Sequence, residues 1–162
     1  MTWLIVFVVV ALISAPVMWM MPSSAQKRQV ILRERARELG LMVSIVDLPQ
    51  THRAKVRKED RQQGVSYTLR IARQKKAQRA RWFVWREEPA DEPVARDTPP
   101  PNILEYLQSL REQMSPDMVG VESSEIGYSV FWRERGDSAT VDAIAALLNR
   151  VRELAGGELI GS

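Results

Sequence analysis

Apolar and polar positions fall into distinct regimes along the chain, and each regime predicts an element. From Thr2 to Met21 there is no charged side chain, and Leu, Ile, Val, Phe, Met, Trp and Ala fill nearly every position. Twenty helical residues rise about 30 Å, the thickness of a bilayer's hydrocarbon core. The pattern therefore predicts a transmembrane anchor over residues 1–22. Ala25 to Leu39 reads as a helix capped by Ser23 or Ser24 and stopped by Gly40, with Leu32, Ala36 and Leu39 at i, i+4 and i+7. Leu41 to Val46 is apolar and β-branched and reads as a buried strand ending before Pro49, followed by a polar, mostly basic loop to Gln63.

The cleanest two-residue alternation runs from Val65 to Ala72. Val65, Tyr67, Leu69 and Ile71 share one face, and Ser66, Thr68 and Arg70 share the other. A basic run, Arg73 to Arg81, leads to Trp82-Phe83-Val84-Trp85, read as the next strand and as the second arm of a hairpin. Residues 87–101, acidic and rich in proline, exclude a helix or a central strand and read as a loop or linker. Asn102 to about Met114 reads as a helix capped by Asn102, Met118 to Glu122 as a strand, and Tyr128, Val130 and Trp132, alternating with Ser129, Phe131 and Arg133, as another strand that ends at Gly136. The last helix is the plainest: Val141, Ile144, Ala145, Leu148, Val151 and Ala155 form a helical stripe. Asp137, Ser138 or Thr140 is available as its cap, and Gly156-Gly157 closes it. The fold class expected is α+β: one N-terminal transmembrane helix, then a small domain over residues 23–162 with a mostly antiparallel sheet of about five strands and about three helices.

Charge changes this picture. The net charge of +3 conceals 17 Lys and Arg against 5 Asp and Glu in residues 23–86, and 6 against 15 in residues 87–162. Either the halves neutralise one another, or the basic half faces phosphate. Lys27, Arg28, Arg33, Arg35 and Arg37 follow the apolar segment closely, and no basic side chain precedes it. The positive-inside rule then implies an inner-membrane, single-pass protein with its N-terminus outside and its domain in the cytoplasm. The same five residues, on a juxtamembrane helix over 23–40, suit anionic lipid headgroups. With Arg53, Lys55, Arg57, Lys58, Arg73, Lys75, Lys76 and Arg79 they make up the candidate lipid- or phosphate-facing set.

Candidate chemistry is sparse. Cysteine is absent, which removes thiolate nucleophiles and cysteine-held metals; His52 is the single histidine. No phosphate-cradling glycine motif, GxSxG or HExxH occurs. The acid pairs Glu59-Asp60, Glu87-Glu88 and Asp91-Glu92 lie in loop-like, charged surroundings, where solvated carboxylates are expected. No catalytic residue, metal or cofactor is expected. A short apolar span followed at once by a basic helix, from Gln26-Lys27-Arg28 onward, resembles the opening of the YajC-type accessory subunits of the bacterial Sec translocase. The resemblance covers residues 1–40 and implies an accessory subunit of a membrane complex; the glycine-rich, GD-containing segment of those subunits is not present. The leading expectation is a non-enzymatic interaction or assembly module at the membrane face, with the bilayer and a protein as partners. A membrane-tethered nucleic-acid-binding protein is the alternative.

Overall fold

Alternation in Val65–Ile71 and helical spacing in Val141–Val151 build the two layers of one α+β domain. The computed structural model describes residues 3, 5–7, 23–71, 80–86 and 97–156. The chain divides into two compact units, Met1–Val30 and Ile31–Ser162. Residues 3 and 5–7 are helical, and the helices whose ends are described are α1 (Ser24–Glu38), α2 (His52–Val56), α3 (Pro101–Leu110) and α4 (Ser138–Leu154). The strands are β1 (Met42–Asp47), β2 (Gln63–Arg70), β3 (Phe83–Trp85), β4 (Met118–Ser123) and β5 (Gly127–Trp132). They form one fully antiparallel sheet in the order β1-β2-β5-β4-β3.

The register sorts the side chains into two faces, because directly opposed residues point the same way. One row crosses all five strands as Val43, Tyr67, Val130, Val121 and Val84. Together with Val65, Tyr128 and Trp132, this face shares a single buried core with Leu32 and Ala36 of α1, Ile103 and Leu107 of α3, and the stripe of α4. Tyr67 and Trp132 meet edge to face, 5.2 Å between centroids, a contact worth about 0.5–1.5 kcal/mol beyond the area it buries. The opposite face carries two rows, Ser44-Ser66-Phe131-Gly120-Trp85 and Met42-Thr68-Ser129-Glu122-Phe83. There Thr68 Oγ1 lies 2.8 Å from Ser129 Oγ and 3.3 Å from Ser66 Oγ, so three buried hydroxyls satisfy one another. Beside them Phe83 packs on Trp85 and Phe131 at 4.6 and 5.8 Å. Gly120 makes room for that cluster, since a Cβ there would sit 2.5 Å from Phe83 Cζ and 2.6 Å from the Val84 carbonyl oxygen.

Several expectations are corrected. Among the described residues no helix is long and apolar enough to cross a membrane. The transmembrane helix, the single-pass architecture and the inner-membrane location with a cytoplasmic domain therefore lack the element they require. A span needs about 20 continuous apolar helical residues. The longest described helix, α4, has 17 and carries Asp142, Arg150, Arg152 and Glu153; α1 has 15 and carries Lys27, Arg28, Arg33, Glu34, Arg35, Arg37 and Glu38. Most of residues 1–22, on which the anchor was expected, lie outside the described residues, as do the acidic positions 87–96. Apolar content is necessary for a span but does not by itself supply one.

The sheet also corrects the expected hairpin between β2 and the Trp82–Trp85 strand. β2 instead takes β5 as its inner neighbour, and β3 pairs only with β4 at the far edge. The β5 positions Tyr128, Val130 and Trp132 complete the apolar face of β2, which the three-residue β3 cannot. The connection after β1 contains the helix α2, an addition to the three expected. At α3 the cap differs as well. Pro100 precedes the helix without a side-chain cap, Pro101 occupies the first turn, and Asn102 Nδ2 donates instead to the Leu154 carbonyl, 2.9 Å away, at the end of α4. At α4 Asp137 is the cap, accepting from the Thr140 N–H at 2.9 Å while the Thr140 hydroxyl reaches the Asp137 N–H.

Candidate functional site

The connection between β1 and β2 is folded on itself rather than loose. Leu48 N–H donates to the Gln62 carbonyl, Thr51 Oγ1 accepts from Ala54 N–H to cap α2, and Glu59 N–H donates to the Ala54 carbonyl. Lys58 takes a left-handed conformation, φ 53°, to make the return. Gln50 Nε2 then ties the Glu59 carbonyl at 3.0 Å. This places Leu48, Pro49, Ala54, Glu59 and Asp60 beside the start of β4 and the end of β3, and together they enclose a cleft of about 370 Å³. Trp85, Leu48, Pro49, Pro116 and Met118 supply its apolar walls; Thr51, Glu59, Asp60, Gln62 and Arg133 supply its polar ones.

Arg133 Nε donates to Gln62 Oε1 at 3.2 Å, which fixes the guanidinium at the cleft. Arg57 lies 3.9 Å from Glu59 and Arg61 3.6 Å from Asp47, both exposed pairs that hold their partners loosely. The cleft therefore offers an aromatic wall, two solvent-facing carboxylates and one positioned guanidinium. Its Thr51 hydroxyl is the α2 cap, accepting from the Ala54 N–H. Among the described residues no group of three or more His, Asp or Glu is placed to hold a metal ion.

The candidate basic residues are dispersed. Lys27 and Arg28 are exposed in the first unit. In the second unit Arg37 is exposed, whereas Arg35 Nε donates to Asp142 at 2.9 Å and its Nη1 to Glu38 at 3.1 Å. Those bonds raise the Arg35 pKa, the one to Asp142 most. Arg33 turns into the domain: its Nε lies 3.0 and 3.1 Å from the two Glu134 oxygens, and its Nη2 bonds the same carboxylate. Glu134, 1 % exposed and left-handed at φ 53°, also accepts from the Tyr67 hydroxyl at 2.9 Å. Burial first, and the Glu134 charge second, push the Tyr67 phenol far above its ordinary pKa, so it remains a donor. Arg53, Lys55, Arg57 and Lys58 are exposed on and just after α2, the helix that contributes Ala54 to the cleft. Arg73, Lys75, Lys76 and Arg79 lie outside the described residues.

The basic half of the chain thus meets the acidic half at Arg33–Glu134, Arg35–Asp142 and Arg81–Glu125. Sequence reasoning overlooked Trp85 and Arg133 as cleft residues and Glu134 as a buried partner. Trp85 had a signal, because Phe83 and Trp85 alternate with Trp82 and Val84 and must face away from them. Glu134 had none. Comparison with protein families, curated proteins and solved structures gave no match to this chain.

Proposed function

We propose that the chain is a non-enzymatic interaction module whose strand-end cleft receives a short segment of a partner polypeptide through one cationic side chain. The observation that carries this reading is the presence of the Trp85 indole and the Glu59 and Asp60 carboxylates in one open cleft of about 370 Å³. A cation over an indole gains about 0.5–2 kcal/mol depending on desolvation, and nearby carboxylates add charge-assisted hydrogen bonds. The exposed Arg53, Lys55, Arg57 and Lys58 on and just after α2, with Arg133 inside the cleft, favour acidic residues flanking that cation. The partner segment is then a lysine or arginine between acids.

A second reading, nucleic-acid binding, draws on the same cations: four exposed on and just after α2, with Trp85 in the cleft that α2 borders, suit a phosphate backbone with a stacked base. The two readings separate in one experiment on the full-length protein. Fluorescence polarisation is measured with peptides carrying one Lys or Arg in acidic, neutral or basic flanks, and with a single-stranded oligonucleotide. The interaction reading expects the acidic-flanked peptide to bind best, and Trp85→Ala and the Glu59→Gln/Asp60→Asn pair each to weaken it about tenfold or more. Oligonucleotide binding with a steep salt dependence and no peptide preference supports the second reading and overturns the first.

A further inference from the structure

The outer edge of β1 is an open ladder whose pattern can be read residue by residue. β1 is an end strand of the sheet. Leu48 N–H donates to the Gln62 carbonyl at 2.9 Å, and the pairing of β1 with β2 runs unbroken from there to Met42–Thr68. In an antiparallel ladder alternate residues turn both backbone groups to the same neighbour. Leu48, Val46, Ser44 and Met42 therefore bond β2, and Val43, Ile45 and Asp47 turn their N–H and C=O groups outward. Among the described residues no other backbone group takes up those three. Edge strands are ordinarily guarded by a lysine, a proline or a bulge. β1 (Met-Val-Ser-Ile-Val-Asp) carries none of these, and Ile45, at the middle of the open row, is 63 % exposed.

The spacing says which strand completes the ladder. A second β1 laid antiparallel, with Ile45 opposite the partner's Ile45, sets Val43 opposite the partner's Asp47 and Asp47 opposite the partner's Val43. All three outward residues of each strand then exchange both groups, and none is left over. Other placements lose something. A shift by one residue sets outward groups against inward ones. Sliding one way brings Asp47, the only charge on β1, against the partner's Asp47. Sliding the other way calls on the Leu41 N–H, which already donates to the Ala36 carbonyl. In the Ile45 register the two acids stand about 14 Å apart, four residues of strand, and the exposed Asp47–Arg61 pair within each chain, at 3.6 Å, need not break. We propose that the occupant of this edge is a second copy of the chain, joined β1 to β1 about a two-fold axis at Ile45 into one continuous sheet. The pairing uses up the long edge, and the other edge strand, β3, has three residues, so the assembly closes as a dimer.

Sedimentation of the full-length protein over a dilution series tests this, together with single cysteines in a chain that has none of its own. The wild type is expected to pass from dimer to monomer on dilution. Ile45→Pro removes an outward N–H at the two-fold axis and leaves the bonds to β2 in place, as edge strands tolerate. It should weaken association at least tenfold with unchanged circular dichroism. Ile45→Lys, which keeps the backbone and sets two cations face to face, should do the same. On mild oxidation Ile45→Cys should form a disulfide-linked dimer, because opposed Cα atoms lie about 5.5 Å apart, and Asp47→Cys should not. A wild type that is monomeric throughout overturns the proposal. So do Ile45→Pro and Ile45→Lys proteins that associate as the wild type does, or an Asp47→Cys protein that crosslinks as readily as Ile45→Cys.

Discussion

Replacing Arg33 by methionine isolates the electrostatic part of the Arg33–Glu134–Tyr67 cluster. Methionine keeps an unbranched apolar stem, so packing beside Leu32 and Ala36 survives while the guanidinium is lost. Glu134 is 1 % exposed and cannot turn to water; Arg33 itself is 24 % exposed. Removing one partner of a fully buried ion pair costs about 3–5 kcal/mol, because the remaining charge is desolvated without compensation. Here the Tyr67 hydroxyl continues to donate, so the low end applies, about 3 kcal/mol. For a chain of this length that lowers the melting midpoint by about 6–12 °C.

Glu134→Gln, which leaves a neutral acceptor for Tyr67 and a partly hydrated Arg33, should cost less, about 1–2 kcal/mol. Urea denaturation of the three proteins at neutral pH measures both losses. An Arg33→Met variant within about 1 kcal/mol of wild type would refute the account of a desolvated carboxylate.

Two further substitutions probe other joints of the fold. Gly120→Ala places a Cβ against Phe83 and the Val84 backbone oxygen, which cannot both yield. It should cost about 1–3 kcal/mol and loosen β3, seen as lost near-ultraviolet dichroism from Phe83 and Trp85. Asp137→Ala removes the α4 cap. The Asp137 pKa is lowered, chiefly by the Thr140 hydroxyl and then by the Thr140 N–H. The stabilising difference from wild type is thus complete above the unfolded carboxylate pKa of about 3.9 and disappears only as pH falls through the depressed folded value. Thermal melts across that range would contradict the capping role if the two proteins lost stability in parallel.

Elements with strong internal periodicity were legible from sequence. The α4 stripe and the β2 alternation each encode a face locally, and both faces enter the core. What was not legible depends on distance along the chain. Neighbouring strands in sequence are the ordinary guess for neighbours in a sheet, yet Tyr67 packs on Trp132 rather than on the aromatics of β3. Five-residue α2 has a readable cap in Thr51, but a run of charges hid it. Arg33, Arg35, Lys27 and Arg28 look alike as letters. Their separation comes from acids at 134 and 142, which no window around α1 contains.

The central position of β5 has a consequence for how the chain is made. β2 can pair with β1 as soon as both have left the ribosome, but its other edge waits for a strand 61 residues away, the separation of Thr68 from Ser129. At about 5–20 residues per second that wait lasts about 3–12 s. Throughout it the hairpin presents an open ladder of backbone groups and an uncovered apolar face. A nascent chain stopped before Gly127 is therefore the species most in need of a chaperone, and β5 is the segment whose emergence commits the domain to its native sheet.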